Sequence, residues 1–512
     1  MFKKLLILCC FIIFKFVLQS TLIDAGYDLH RDEYLHLDQA RHLAWGYLSV
    51  PPVTSWFSYI VLLLGNDIFW VKFFPTLFGV LTMIIVWKAI EELKGGIFAL
   101  ILGATAITLS VILRINTLFQ PNSLDILCWT FLYFSILKYF KTQQNKWLWI
   151  AGITFAFGFL NKYNIVFLLV GLFPALLISP QRKVFKNPHL YLTILGAFLL
   201  ILPNLIWQYE NNFPVVHHMA LLKKYQLVNV KRTDFLKEQI LFFLSSFFVL
   251  IASFISFFKH KAFKEYRFFF WAFVFSLSIF VYLQAKAYYA IGLYPILLAF
   301  GSVYLESILK EGWTIYLRPV AILLIIILFL PMMRIAFPNY NPKEIQQRTE
   351  LYKKFDLLRW EDGKDHTIPQ DFADMLGWKE LAQKVDSVYA GIEDKEHTLV
   401  LCDNYGQAGA INYYSAFKHI NAVTVNADYI NWFPPLDKTA IKNIILIQSS
   451  DDDDKNREKE RPLFKLVALT RKVENPFARE YGTSIYLLKD AKVPINHFLL
   501  EDIEEEMKDW KD

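Results

Sequence analysis

Charged residues are scarce in this chain: Asp, Glu, Lys and Arg make up 20% of its 512 residues, whereas about 25% is usual for soluble globular proteins. Cysteine is scarcer still, with four residues that form neither a disulfide framework nor a zinc-site spacing. These shortages exclude a cytosolic enzyme, a disordered chain and a secreted disulfide scaffold. Apolar residues are abundant instead, since 55% of the chain is hydrophobic and 47 residues are phenylalanine.

The charge is unevenly distributed along the chain. Residues 1–337 hold 29 Lys and Arg and 15 Asp and Glu, a net charge of +14, whereas residues 338–512 hold 24 and 32, a net charge of −8. We therefore predict a membrane domain over 1–337 and a soluble domain over 338–512. The basic excess lies in short loops between apolar runs rather than on one face, so it does not indicate nucleic-acid binding.

Apolar runs of about 20 residues, the length that crosses a bilayer, recur through the first domain. The first run starts with Lys3-Lys4, but Lys15 interrupts it and no small-x-small cleavage site follows, so we predict an uncleaved anchor. The predicted spans are eleven: 4–23, 67–90, 96–113, 120–140, 147–161, 163–180, 190–208, 240–258, 266–283, 287–309 and 315–337.

The basic residues of the loops predict the orientation. An N-terminus inside places sixteen Lys and Arg in inner loops and ten in outer loops, five of the ten in loop 209–239. Because positive charge favours the cytoplasmic side, we predict a cytoplasmic N-terminus. An odd number of spans then makes the C-terminal domain extracytoplasmic.

The remaining segments complete a mainly α, polytopic membrane fold with a small C-terminal α/β domain. In the outer loop 24–66, the pattern of 32–45 predicts a short helix stopped by Gly46, and the apolar segment 56–64 is too short to span and is predicted to lie in the interface. The C-terminal domain combines strand-like runs with one helix-like segment. The strand-like runs are 398–402, 422–425, 444–447, 466–469 and 484–488, and the helix-like segment is 406–417.

Ionisable residues near the ends of spans are the candidates for function. Asp32 and Glu33 follow the first span; they are either acidic residues stabilised by a helix N-terminus, by about 0.3–1 kcal/mol, or carboxylates placed to accept a proton. Lys162 and Lys286 lie at outer ends of spans, where a lysine either extends to the interface or binds phosphate. The basic loop 209–239 is equally suited to anionic lipid.

Other polar residues give weaker signals. His30, Glu33 and His36 place metal-ligand types one helical turn apart, but without a partner motif they do not predict a metal site. Asp125 is either a functional polar group or a helix-start carboxylate, and the two adjacent histidines of loop 209–239 are expected at the interface rather than on a metal. The candidates for substrate contact are Arg31, His36, Asp125, His217 and His218.

Several short motifs occur in a characteristic order. They are Asp32-Glu33, Pro51-Pro52, Gln120-Pro121-Asn122-Ser123-Leu124-Asp125, Asn161-Lys162-Tyr163, Pro203-Asn204-Leu205-Ile206-Trp207, Lys286-x-Tyr288-Tyr289 with Tyr294-Pro295, Leu376-Gly377-Trp378 and Asn404-Tyr405-Gly406-Gln407-Ala408. Together they resemble the bacterial branch of the protein O-mannosyltransferase and aminoarabinose transferase superfamily. These proteins are integral-membrane glycosyltransferases of the GT-C type, glycosyltransferase family 39-like.

The resemblance implies an inverting transfer of a hexose or pentose from a polyprenyl-phosphate donor, on the outer side of a bacterial inner membrane. It implies Asp32 as the catalytic base with Glu33 beside it, and Lys162, Lys286 and Tyr289 as binding groups for the donor phosphate. Relatives often carry a charged residue or histidine where Val50 precedes Pro-Pro, so no substrate contact is implied for that turn. No cofactor is expected, metal dependence stays open, and the acceptor is a lipid, a glycan or a protein.

The residues suit this chemistry, because a phosphodiester leaves readily and needs one base plus cations rather than the two carboxylates of a glycosidase. The main alternative is a transporter or lipid flippase with an outer soluble domain, and a third is a membrane sensor. Transporters favour midplane charges and related halves, whereas these charges lie at outer span ends. Asp32, Lys162 and Lys286 around one site would favour the enzyme.

Overall fold

The structure is a computed structural model that describes residues 2–225, 230–451, 454 and 456–509. Its first part is helical, with short 3-10 helices at several junctions. The α-helices are α1 (Phe2–Ser20), α2 (Arg31–Asp38), α3 (Val53–Leu63), α4 (Ile68–Glu92), α5 (Ile97–Thr108), α6 (Val111–Ile115), α7 (Pro121–Thr142), α8 (Lys146–Asn161), α9 (Val166–Leu177), α10 (Pro188–Glu210), α11 (Pro214–Tyr225), α12 (Arg232–Phe242), α13 (Phe247–Lys259), α14 (Arg267–Tyr282), α15 (Pro295–Ile308) and α16 (Leu317–Ala336).

Each of the eleven predicted spans overlaps at least one of these helices. Among the described residues, five helices are long and apolar enough to cross a membrane alone, and eight spans result if each bent pair counts as one. The predicted span 240–258 is interrupted near its start, where α12 and the helical segment Leu244–Lys259 meet at a bend of 64°. Ser245 lies at the start of that segment, and its hydroxyl donates a hydrogen bond to the Leu109 carbonyl at 2.6 Å.

The helix in the first outer loop is shorter than its sequence pattern predicts. Helix α2 continues as a 3-10 turn over Gln39–Arg41 and then ends, so residues 42–45 are not helical. The Tyr47 hydroxyl lies 3.0 Å from the His42 carbonyl and 3.3 Å from the Gln39 carbonyl, and so supplies a partner to carbonyls at the helix end. Helix α3 is present, as predicted, and is too short to span.

The C-terminal part is a small α/β domain, which confirms the predicted class. Its sheet has the order β2-β1-β3-β5-β4, with the first three strands parallel and β5 antiparallel to both of its neighbours. The strands are β1 (Thr398–Cys402), β2 (Ala422–Val423), β3 (Asn443–Gln448), β4 (Phe464–Lys472) and β5 (Ser484–Ala491), and the helices are α17 (Pro342–Gln346), α18 (Thr349–Lys353), α19 (Gln370–Ala373), α20 (Trp378–Ala390), α21 (Tyr405–Tyr414) and α22 (Asn496–Asp509).

The C-terminal domain packs directly on the loop between α1 and α3. Backbone hydrogen bonds join Asp24 to Pro338 at 2.8 Å and Asp28 to Met375 at 2.7 Å. Helix α21 approaches α2 so closely that a Cβ at Gly409 would lie 2.6 Å from the Tyr34 Cβ. The loop and the C-terminal domain therefore share one side of the membrane domain, in agreement with the odd number of spans predicted from the sequence.

Candidate active site

A capping box fixes the start of α2. The His30 ring nitrogen Nδ1 accepts the Asp32 backbone N–H at 3.2 Å, and the Glu33 carboxylate accepts the His30 backbone N–H at 2.7 Å. The same turn is tied to the C-terminal domain by the Arg31 backbone N–H, which donates to the Asp374 carbonyl at 3.0 Å. The two adjacent carboxylates therefore start from a rigid turn and point to different surroundings.

Glu33 is fully buried in an ion pair. Both of its oxygens lie 2.7 Å from the Lys72 ammonium of α4, and one of them also accepts the Phe119 backbone N–H at 2.6 Å. Lys72 donates further to the Thr117 carbonyl at 3.0 Å. This pair joins α2 to α4 and to the turn before α7, so Glu33 supports the position of its neighbour Asp32.

Asp32 is the more accessible carboxylate, with 41% of its side chain exposed. Its Oδ2 accepts the Gln120 amide at 3.1 Å, and its Oδ1 accepts the Tyr405 hydroxyl at 2.8 Å. Desolvation raises the pKa of Asp32, but electrostatic interactions with His30 and Arg31 and the Tyr405 hydrogen bond outweigh it and lower the pKa below its ordinary value. The carboxylate is therefore held in its charged form.

A chain of hydrogen bonds connects Lys162 to Asp32. The Lys162 ammonium donates to the Asn122 side-chain oxygen at 2.7 Å, Asn122 donates to the Gln120 oxygen at 3.0 Å, and Gln120 donates to Asp32. Lys162 also lies over the aromatic ring of Tyr289, 4.5 Å from its centre. The structure thus links the predicted base and a predicted phosphate-binding cation through two amide side chains.

Lys286 interacts electrostatically with the Lys162 end of this chain of hydrogen bonds. Its charge acts on Lys162 and on His218 of α11, and its ammonium is 3.6 Å from the Glu361 carboxylate. Burial and the Lys286 charge lower the pKa of His218 to about 4, so that ring is neutral at physiological pH. Lys162 and Lys286 are therefore close enough to act on each other, and two such positive charges suit an incoming anion.

Asp125 lies beneath this cationic region and is buried. It accepts the Trp129 indole N–H at 2.9 Å and the Asn164 amide at 3.1 Å, and the same amide donates to the Tyr289 carbonyl at 2.9 Å. The charges of Asp125 and Lys162 attract each other. Asp125 thus supports the lysine and the Tyr289 backbone from α7.

Of the remaining candidates, Arg31 and His36 lie near Asp32 and act on its charge. The Arg31 guanidinium stacks 4.3 Å from the centre of the Tyr405 ring. His36 is buried against Gln39 at 3.3 Å, and burial lowers its pKa. His217 precedes His218 on α11 and is half-buried. In the described part of the chain, no group of three or more His, Cys, Asp and Glu side chains is placed to hold a metal ion.

Sequence reasoning missed two contributors to the site, Lys72 and Tyr405. Lys72 interrupts the apolar run of α4, and a lone charge there is the signal that marks a paired or functional group. Tyr405 lies in a motif that the sequence singles out, but its contact with Asp32 spans 373 positions. A local sequence pattern does not indicate a contact between residues so far apart in sequence.

Comparison with known proteins finds similarity over part of the sequence. Residues 49–207 match the family described as dolichyl-phosphate-mannose-protein mannosyltransferase. The lipid A galacturonosyltransferase RgtD of Rhizobium johnstonii is 26% identical over 196 residues, which cover 37% of this chain and 41% of that protein. The chain thus matches about two fifths of the length of this curated relative. Lys162 lies inside the matched family range, whereas Asp32 and Lys286 lie outside it.

Solved structures extend the similarity to nearly the whole chain. ArnT from Cupriavidus metallidurans bound to undecaprenyl phosphate superimposes with a TM-score of 0.61 at 12% identity, covering 94% of this chain and 97% of ArnT. Its apo form gives a TM-score of 0.60 over the same shares. The resemblance predicted from the motifs is confirmed in two respects: the chain has the GT-C fold of ArnT, and its residues 49–207 are similar to the dolichyl-phosphate-mannose-protein mannosyltransferase family.

Proposed function

We propose that this chain is an inverting glycosyltransferase that moves a sugar from a polyprenyl-phosphate donor to an acceptor at the membrane surface. The observation that carries the proposal is the hydrogen-bond chain from Lys162 through Asn122 and Gln120 to Asp32. Transfer from a phosphodiester needs a base and a cation near one reacting bond, and this chain supplies both. A transporter has no need to couple these groups in this way.

The proposed reaction is a single displacement. The Asp32 carboxylate accepts the proton of the acceptor hydroxyl, and the acceptor oxygen bonds to the anomeric carbon from the face opposite the phosphate. The bond between that carbon and the phosphate oxygen breaks, and polyprenyl phosphate leaves with both electrons of the bond. Lys162 and Lys286, with Tyr289 beside them, stabilise the developing negative charge. One displacement inverts the anomeric carbon.

The relatives narrow the substrates to test first. The ArnT structure contains undecaprenyl phosphate, which supports a polyprenyl-phosphate donor here. RgtD is named as a galacturonosyltransferase of lipid A, which supports a uronic acid as the first sugar and a lipid as the first acceptor. We place the protein in the bacterial inner membrane with its N-terminus in the cytoplasm and its C-terminal domain outside, in agreement with the basic inner loops.

The function is tested with the purified full-length protein in lipid nanodiscs. Polyprenyl phosphates carrying a hexuronic acid, a pentose or a hexose are supplied with total bacterial lipid, glycan or protein fractions, and products are identified by mass spectrometry. We expect one donor to be consumed, an acceptor to gain one sugar of inverted anomeric configuration, and transfer to continue in EDTA. Movement of a labelled donor across liposomes without any transfer would favour the flippase instead.

Replacing Lys286 tests its place at the donor phosphate. Because a hydrogen bond to a charged group contributes about 1.5–3 kcal/mol, Lys286→Ala is expected to raise the donor KM by about tenfold or more. The matched control is Lys237→Ala, which removes an exposed lysine of α12 that pairs with Asp234 at 3.1 Å. An unchanged donor KM in Lys286→Ala would remove this residue from the donor site.

A further inference from the structure

One side chain of the C-terminal domain reaches the proposed base. Tyr405 is the first residue of α21, and its hydroxyl donates a hydrogen bond of 2.8 Å to the Asp32 Oδ1. We propose that Tyr405 is a positioning residue for Asp32, so that the C-terminal domain forms part of the active site. This inference rests on the proposed function, because it assumes that Asp32 accepts the proton of the acceptor.

The placement of Tyr405 depends on a close approach between the start of α21 and the segments that hold Arg31 and Trp378. Asn404 caps α21 by accepting the backbone N–H groups of residues 406 and 407 at 3.0 and 3.2 Å, which fixes the first turn. A Cβ at Gly406 would lie 2.7 Å from the Arg31 Cγ and 2.9 Å from the Trp378 ring. Only a residue without a side chain lets α21 begin here, with the Tyr405 ring against the Arg31 guanidinium.

Tyr405 and Gln120 hold opposite oxygens of the same carboxylate. Gln120 belongs to the membrane domain and bonds to Oδ2, whereas Tyr405 belongs to the C-terminal domain and bonds to Oδ1. Two donors on different oxygens fix the plane of the carboxylate, and each oxygen keeps a lone pair for an incoming proton. Without the Tyr405 hydroxyl, Asp32 is held on one oxygen only and is free to rotate about that contact.

The hydroxyl also contributes to the pKa of Asp32. Its hydrogen bond is to the charged form, and therefore lowers the pKa of Asp32 against the effect of burial. The other titratable or charged groups that face Asp32, from its own helix, from the C-terminal domain and from the segment before α15, are His30, Arg31, His36, Asp374 and Tyr288.

The sign of the expected pH effect follows from this bond. Transfer needs the ionised carboxylate, so activity is present above the Asp32 pKa and is lost as the pH falls through it. Removing the hydroxyl raises that pKa, because the charged form loses a donor. The acid limb of the pH–rate profile therefore moves to higher pH.

The test compares two tyrosine-to-phenylalanine variants of the full-length protein. Tyr413 lies on the same helix and also reaches the first outer loop, where its hydroxyl donates to the Asn66 carbonyl at 2.9 Å. We expect Tyr405→Phe to lower kcat about tenfold with an unchanged donor KM and to shift the acid limb upward. Tyr413→Phe, which makes the same chemical change at the same interface, is expected to leave the acid limb unchanged.

Each outcome of this comparison either supports or overturns the role of Tyr405. An acid limb in Tyr405→Phe identical to that of the wild type, or an equal shift in both variants, overturns it. If Tyr405→Phe does not fold, a fluorinated tyrosine at position 405 replaces it. That side chain has nearly the same shape, and its hydroxyl is a stronger hydrogen-bond donor to Asp32. The acid limb of the pH–rate profile must therefore move to lower pH. An unmoved limb with this residue overturns the inference as well.

Failure of this inference is distinguishable from failure of the proposed function. A wild-type protein that transfers no sugar to any acceptor contradicts the function itself. A wild-type protein that is active, and that loses activity in Asp32→Asn but keeps its acid limb in Tyr405→Phe, contradicts only the role of Tyr405.

Discussion

Asp32→Asn is expected to lower the rate of sugar transfer by about 10²–10⁴-fold, the range that a positioned base contributes. Asparagine keeps the size of the side chain but cannot accept a proton at neutral pH. The protein is expected to insert in the membrane and to bind donor as the wild type does, because the fold depends on the neighbouring Glu33 rather than on this carboxylate. Transfer is measured by mass spectrometry at saturating donor, and donor binding is measured separately.

The control for this variant is Asp67→Asn. Asp67 directly follows the outer loop that holds Asp32, and it caps α4 by accepting the Phe69 backbone N–H at 2.7 Å. Asparagine caps a helix as well as aspartate does, so the control removes one negative charge without changing the fold or the site. Wild-type activity in Asp32→Asn would contradict the assignment of the base. Equal losses in both variants would indicate a general effect of charge.

Lys72→Met is expected to destabilise the protein by about 3–5 kcal/mol, because it leaves the Glu33 charge buried without its partner. Both oxygens of Glu33 lie 2.7 Å from the Lys72 ammonium, and the Glu33 side chain is fully buried. Replacing both charges in Glu33→Gln/Lys72→Met removes the uncompensated charge, and most of the lost stability is expected to return. Unfolding of the detergent-solubilised variants, followed against temperature and denaturant, measures the difference.

The double variant also assigns the role of Glu33. We expect stability and a large part of the transfer activity to return together, as they do when a residue only positions its neighbour. Restored stability without transfer would instead place Glu33 in the chemistry, as the resemblance implies. A Lys72→Met variant as stable as the wild type would contradict the importance of the ion pair.

The elements of this fold follow from local patterns. Spans such as α4 and α7 are visible as long apolar runs, and β1 and β3 as short ones bounded by polar residues. Local patterns do not show every helix end or bend. Residues 42–45 continue the helical pattern of α2, yet the Tyr47 hydroxyl bonds to carbonyls at the helix end. The apolar pattern of 240–258 likewise gives no sign of the 64° bend between Phe242 and Leu244.

The sequence predicts several residues of the site but not the contacts between them. Asp32, Lys162 and Lys286 stand out because charges are rare near apolar spans. Their proximity depends on how α2, α8 and the segment before α15 pack together, and hydropathy contains no information on that packing. The ion pair of Glu33 and the contact of Asp32 with the C-terminal domain likewise join residues far apart in sequence, so only the folded structure reveals them.

A structure of the protein with a bound polyprenyl phosphate tests the central claim most directly, because the claim places the donor phosphate at Lys162 with the proposed base beside it. We predict phosphate oxygens at hydrogen-bond distance from the Lys162 ammonium, about 2.7–3.2 Å, with Lys286 turned toward the same group and Asp32 facing the position of the sugar. A phosphate bound at the basic loop 209–239, with Lys162 still on Asn122 and out of its reach, would contradict the account.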